Sequence, residues 1–129
     1  PQVSVIPQDI GKVLLNLMNN AFYAVHEKAS SGNVNSDYKP IVTVSSTYSP
    51  LVGGQGGFVK ISVQDNGDGI PDSIKEKIFQ PFFTTKPTGS GTGLGLSLSY
   101  DIIKAHVGEI IAESIIGQGA KIILTLPNR

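Results

Sequence analysis

The sequence contains no cysteine, which excludes disulfides and thiolate chemistry and leaves the redox compartment unread. Its two histidines, His26 and His106, stand far apart and show no metal-ligand spacing. Charge of either sign is not in excess: ten Lys and Arg balance ten Asp and Glu. The basic footprint of a nucleic-acid binder is therefore missing. A polyanionic ligand would have to be held by local donors rather than by a global field. No apolar run reaches the roughly eighteen residues that a membrane span requires, so no direct membrane contact is expected of this stretch. The start, Pro1-Gln2-Val3, has neither an initiator Met nor a signal-peptide pattern. The expectation is a monomeric, cytoplasmic fragment of a longer protein, whose parent can carry a membrane anchor elsewhere.

What is present fits one domain of 129 residues. A chain of this size buries roughly two-thirds of its unfolded surface, enough for one sizeable core. Hydrophobic residues make up 40% and charged residues 16%, a little low for a globular domain but far from a disordered composition.

Along the chain, Val3–Ile6 suggests an edge strand, and Pro7-Gln8-Asp9 a helix start. Apolar residues at Ile10, Val13, Leu14, Leu17, Met18, Ala21, Phe22 and Val25 predict a helix over Ile10–His26. Ala29–Lys39 is a polar loop. Ile41–Tyr48 and Phe58–Asp65 predict an antiparallel strand pair, joined by a glycine-rich tip at Pro50–Gly57 that has no functional reading. Asp72–Phe79 suggests a short helix. Gln80–Gly93 is long, rich in Pro, Thr and Gly, and without periodicity, as functional loops often are. Leu94–His106 predicts a second helix that Gly108 can end. A final hairpin, Glu109–Ser114 with Ala120–Leu126, turns at Gly117-Gln118-Gly119. This order predicts an α+β fold: a two-layer sandwich with a mixed, mostly antiparallel sheet and the helices on one face.

Three blocks stand out chemically. Asp65-Asn66-Gly67-Asp68-Gly69-Ile70 follows a strand, and its alternate glycines permit positive φ and close backbone approach to a ligand. A carboxylate at the strand end can accept a hydrogen bond from an exocyclic amine such as adenine's; a plain tight turn explains the same residues. Gly89-Ser90-Gly91-Thr92-Gly93-Leu94-Gly95-Leu96 runs into a helix, whose N-terminal N–H groups suit phosphate. It is neither a dinucleotide fingerprint nor a Walker A, and a flexible loop is the equal alternative. Asn16 and Asn20, at i and i+4, share a helix face. Asn is a modest helix former; its side-chain oxygen suits Mg²⁺, and a solvent-facing polar stripe is the competing account.

Taken in order, these blocks resemble the GHKL (Bergerat-fold) ATP-binding domain of sensor histidine kinases. Leu15–Ala21 resembles its N box, Asp65–Ile70 its first glycine box, Ile78–Lys86 its F box and Gly91–Ser97 its second glycine box. Ile102–His106 and Gly117–Ala120 continue the pattern across nearly the whole chain. Each block is weak alone, and four in order are specific.

The resemblance implies that Asn20 binds Mg²⁺ bridging the ATP phosphates and that Asp65 reads the adenine amine. It implies that Gly67 and Gly69 let the chain pass under the base, with Ile70 alongside. Gln80–Thr92 becomes a mobile ATP lid, with Phe79, Phe82 and Phe83 anchoring its hinge, although Phe79 reads equally well as a core aromatic. Gly91, Gly93 and Gly95 contact phosphates through N–H groups, and Lys86 approaches the terminal phosphate. Tyr23, Thr84, Thr85, Thr92, Leu94 and Leu96 complete the nucleotide surface, and Asn16, Asn20 and Lys86 form the catalytic set.

ATPases of this fold place Glu four residues before the metal-binding Asn; here that position is Asn16, a poor base. The expectation is therefore phosphoryl transfer rather than hydrolysis. The implied acceptor is a His on an upstream helical dimerisation domain of a homodimeric parent, with a response regulator as the next partner. His26 and His106 read as structural, so the fragment is expected to bind Mg-ATP without phosphorylating itself. A conformational ATPase of the gyrase or chaperone type, and a non-catalytic nucleotide-binding module, are the alternatives. Two departures from the pattern are Tyr23, where many members carry a basic residue, and Ala120, where Thr is common.

Overall fold

The computed structural model describes residues 5–32, 37–51, 56–81, 83 and 95–128. Helix α1 spans Pro7–Ser30; strands β1 and β2 span Val42–Pro50 and Gly57–Asp65; a single 3₁₀ turn covers Lys77–Phe79. Helix α2 spans Gly95–Ala105, and strands β3 and β4 span Glu109–Ile115 and Gly119–Asn128. The sheet order is β1-β2-β4-β3. All three pairings are antiparallel, so the sheet formed by the described strands is not mixed. Both helices lie on one face, as expected for the two-layer α+β sandwich.

Helix α1 begins where Pro7 presets the helical φ. Ile6 is extended, and its carbonyl accepts the first N–H groups, from Asp9 at 3.0 Å and Ile10 at 3.1 Å. Val5 and Ile6 therefore lead into the helix instead of ending a strand; the rest of the expected strand, Val3 and Ser4, lies outside the described residues. Asp9 in the first turn and Lys28 in the last both suit the helix dipole. The helix outruns its apolar pattern because nothing in 27–30 breaks it; Gly32 is the first residue beyond it with positive φ.

Ile10, Val13, Leu17, Ala21 and Val25 form the buried stripe. It packs on Val63, Leu124, Leu126 and Ile110 of the sheet and on Ile103 of α2. Leu14 and Met18 flank this core. Phe22 does not join it and is 54% exposed. At 100° per residue, it stands about 140° round the helix from Leu17.

Of the helix expected over Asp72–Phe79, the 3₁₀ helix Lys77–Phe79 forms at its end, and the rest is a run of turns. Its bonds are of i→i+3 type, from Ile74 N–H to Pro71 O, from Lys77 N–H to Ile74 O and from Gln80 N–H to Lys77 O. Pro71 and Pro81 bracket a segment too short for a cooperative α-helix to form cheaply.

Helix α2 ends in a Schellman arrangement. Gly108 N–H reaches back to Ile103 O at 2.9 Å and Val107 N–H to Lys104 O at 3.0 Å. The left-handed residue is Val107, with φ of 61°, and not the glycine. Gly108 is needed for another reason: a Cβ there would lie 2.5 Å from Thr125 O and 3.0 Å from Leu126 Cδ2. The glycine therefore serves close packing on β4, and the strain falls on a β-branched neighbour. Replacing Val107 by Asn, which tolerates this conformation, should raise stability by about 1 kcal/mol. Urea denaturation checks this; Gly108→Ala in the same assay should lower stability.

Candidate active site

Asp65 ends β2, the strand between β1 and β4, and is 9% exposed. A carboxylate at such a depth needs donors. Its Oδ1 accepts the Gly67 N–H at 2.9 Å, and the Ala120 N–H also donates to it. Desolvation nevertheless holds its pKa above the ordinary carboxylate value, opposed by those two N–H groups and by Lys28.

The turn after Asp65 is built to hold this arrangement. Asn66 Oδ1 accepts the Ile41 N–H at 2.8 Å, and its amide donates to Lys39 O at 2.7 Å. Gly67 lies under α1, where a Cβ would approach Ala24 Cβ to 3.0 Å. Its lack of a side chain lets α1 pack close against the turn. Gly69 lines the cavity; its φ is 83°, and a Cβ would meet Ile115 O at 2.6 Å. Gly119, with φ of 124°, lets β4 pass directly against the Asp65 carbonyl.

A cavity of about 650 Å³ opens above this turn, within the size range of small-molecule sites. One wall is α1, through Asn16, Asn20, Tyr23 and Ala24; the floor holds Asp65, Ala120 and Ile122; Ile70, Gly95 and Leu96 close other sides. The sequence-predicted residues Asn16, Asn20, Tyr23, Asp65, Gly69, Ile70, Gly95 and Leu96 are thus brought together. Thr84, Thr85, Lys86, Gly91, Thr92, Gly93 and Leu94 lie outside the described residues, as does Phe82. Phe79 is not on the wall. Its ring packs at 5.7 Å from that of Tyr100 and against the core, so of its two readings the structure favours the core aromatic. Ile78 and Phe83 take the wall in its place.

Asn16 does more than line the cavity. Its amide nitrogen donates to Gly95 O at 3.3 Å and to Ser99 Oγ at 3.4 Å. Ser99, fully buried, donates in turn to Gly95 O at 2.8 Å. Asn16 therefore ties α1 to the first turn of α2. The motif reading missed this, and it missed Glu27, Ile74 and Ile122 on the wall. Glu27 follows Asn16, Asn20 and Tyr23 at helical spacing and was legible from that. Ile74 and Ile122 carry no motif signal.

The profile of the histidine kinase-, DNA gyrase B- and HSP90-like ATPase family matches residues 6–129. The chain belongs to this ATPase family. Within the family it is 37% identical over 127 residues, 98% of the chain, to the sensor histidine kinase ZraS of Escherichia coli O157:H7, covering 24% of that protein. The catalytic domain of histidine kinase ThkA, solved in a nucleotide-free form, superposes with a TM-score of 0.73 at 33% identity, over 98% of this chain and 71% of that one. Full-length ShkA in complex with AMPPNP gives a TM-score of 0.65 at 26% identity, over 92% of this chain and 21% of that one. The domain is thus the ATP-binding catalytic type found in sensor histidine kinases. It spans about a quarter or less of the curated relatives it matches.

The folded-state pKa of Asp65 lies above its unfolded value. Its ionised form therefore works against folding. Stability from this group falls as pH rises from the ordinary carboxylate value through the raised one, and the deficit persists above it. Asp65→Asn should leave the thermal midpoint at neutral pH unchanged or higher while weakening nucleotide binding by about 1–3 kcal/mol. Wild-type affinity should fall on acidification at a pH above that of an ordinary carboxylate; calorimetric titration across pH checks both. Asn16→Asp removes both amide donors and sets a carboxylate against Gly95 O, which should cost about 1–3 kcal/mol of stability in chemical denaturation.

Proposed function

We propose that this domain binds Mg-ATP and donates the γ-phosphoryl group to a His on a separate helical dimerisation domain of its parent. The observation that carries the reading is the Asp65 carboxylate, held at the floor of a nucleotide-sized cavity by two backbone N–H groups. Held this way it offers an acceptor to the exocyclic amine of adenine. Ile70, Ile78 and Ile122 provide apolar surface for the base. At the other end of the α1 wall, Asn20 and the start of α2 suit the phosphates.

The residues present fit Mg²⁺. Asn20 offers a neutral hard oxygen on the cavity wall, the donor type this ion takes alongside phosphate oxygens. Bound there, the ion would neutralise charge on the phosphates during transfer. The roles of Lys86, Thr84 and Thr85, and of the Gly91 and Gly93 N–H groups, rest on the family resemblance.

Asn16 favours transfer over hydrolysis. Its amide nitrogen is committed to Gly95 O and Ser99 Oγ, and an amide is no base for water. Catalysis then rests on positioning and charge neutralisation. A response-regulator receiver domain is the next acceptor in this scheme, and a parent homodimer presents the His. Among the described residues no helix is long and apolar enough to cross a membrane.

The test supplies the isolated domain with γ-labelled ATP and a separate His-bearing dimerisation domain from its parent. Label should appear on that partner and not on this chain, with little phosphate release. Rapid steady-state phosphate release would favour a conformational ATPase. Asn20→Ala, which removes the side-chain oxygen, should weaken Mg-dependent nucleotide binding by about tenfold and leave the thermal midpoint near the wild-type value; an unchanged metal dependence would remove Asn20 from the metal site.

A further inference from the structure

Asp65 is held by the N–H of the peptide joining Asn66 and Gly67. That peptide and the next one are clamped from outside the cavity by two side chains that belong to no motif. Tyr38 donates its hydroxyl proton to Asn66 O at 3.0 Å, with Asn66 Oδ1 at 3.1 Å. The bonded carbonyl is the other half of the peptide whose N–H meets Asp65. Lys28 Nζ donates to Gly67 O, the carbonyl of the following peptide, at 3.3 Å. It also donates to Gly117 O at 2.8 Å, in the turn between β3 and β4. The ammonium lies 5.0 Å from the centroid of the Tyr38 ring, a cation–π contact that joins the two clamps. The Gly117 N–H in turn donates to Asp68 O at 2.7 Å. The last turn of α1, the Asp65–Gly69 turn and the β3–β4 turn are thus locked around one lysine.

We infer that Lys28, with Tyr38, is a positioning residue for purine discrimination. It aims the Asp65 carboxylate at the 6-amino group by fixing the two peptides that follow it. Two N–H groups already occupy part of the carboxylate's acceptor capacity, so the direction left for the base depends on the peptide plane. With Lys28 gone, the Gly67 and Gly117 carbonyls lose a shared cationic donor, and the 66–68 backbone gains freedom to rotate. Phosphate contacts at the far end of the cavity are untouched. The loss should therefore fall on base selectivity and not on nucleotide binding in general. This inference rests on the reading of Asp65 as the adenine acceptor.

The experiment measures dissociation constants of Mg-ATP and of the triphosphate of unsubstituted purine riboside, which lacks the 6-amino group. Both are measured for the wild type, Lys28→Met, Lys28→Arg and Tyr38→Phe, with thermal midpoints recorded for each. In the wild type ATP should bind more tightly than the analogue. Lys28→Met should reduce that preference by about five- to tenfold, chiefly by weakening ATP. Lys28→Arg should restore most of it. Tyr38→Phe, which keeps the ring and removes only the hydroxyl, should lose part of it without unfolding. Equal weakening of both nucleotides in Lys28→Met and Tyr38→Phe, with the preference intact, would reduce the clamp to a stability device and overturn the inference. A wild type with no preference would overturn the Asp65 reading itself, and this inference with it.

Discussion

The structure is organised around one buried carboxylate near the floor of the domain, whose charge its neighbours must offset. Asp65 sits where the central strand ends, under a helix and beside an apolar wall, and desolvation opposes its charge. Everything adjoining it compensates. The N–H groups of Gly67 and Ala120 point at it, and Lys28 adds a cation nearby. Three glycines then let backbone come close enough to hold that geometry: Gly67 beneath α1, Gly69 against the β3–β4 turn, and Gly119 against the Asp65 carbonyl. A side chain at any of the three would push an element away from the carboxylate. The glycine box therefore reads better as a packing device around an acid than as a flexible loop.

Helix α1 carries both halves of the fold's requirements on adjacent faces of one cylinder. Its apolar stripe, centred on Val13, Leu17 and Ala21, anchors the sheet. A second stripe, Asn16, Asn20, Ala24 and Lys28, runs at steps of four residues. At 1.5 Å per residue it extends about 18 Å, from the start of α2 to the turn after Asp65. Asn16 bonds α2 at one end and Lys28 bonds the glycine turns at the other. The helix thus sets the separation between the first turn of α2 and the glycine turns that hold Asp65.

Much of this was legible in the residues. A 3.6 period located α1, β-branched runs between glycine turns located the four described strands, and the order of the boxes grouped Asn16, Asn20, Asp65 and Gly69. What failed did so for physical reasons. Asp72–Phe79 carries helix-compatible residues, yet two bracketing prolines and its shortness leave only turns and a short 3₁₀ helix. Phe22 matched an apolar pattern, but its angle around the helix turns it outward. Gly108 does close α2 through its N–H, but its small size serves contact with β4, and the left-handed residue is Val107. Lys28 and Tyr38 were illegible because their partners are backbone carbonyls, which no side-chain pattern announces.

Asn16 joins the fold to the chemistry. A glutamate there would offer water a base, but it would also face the Gly95 carbonyl without a proton to give. The amide meets that carbonyl and the buried Ser99 hydroxyl with donors. The interaction that secures the first turn of α2 is therefore incompatible with an ionised base at the same position. In this chain the lack of a carboxylate at position 16 and the tethering of α2 are one choice of side chain. Restoring a carboxylate would supply a base only by loosening the first turn of α2 that Asn16 holds.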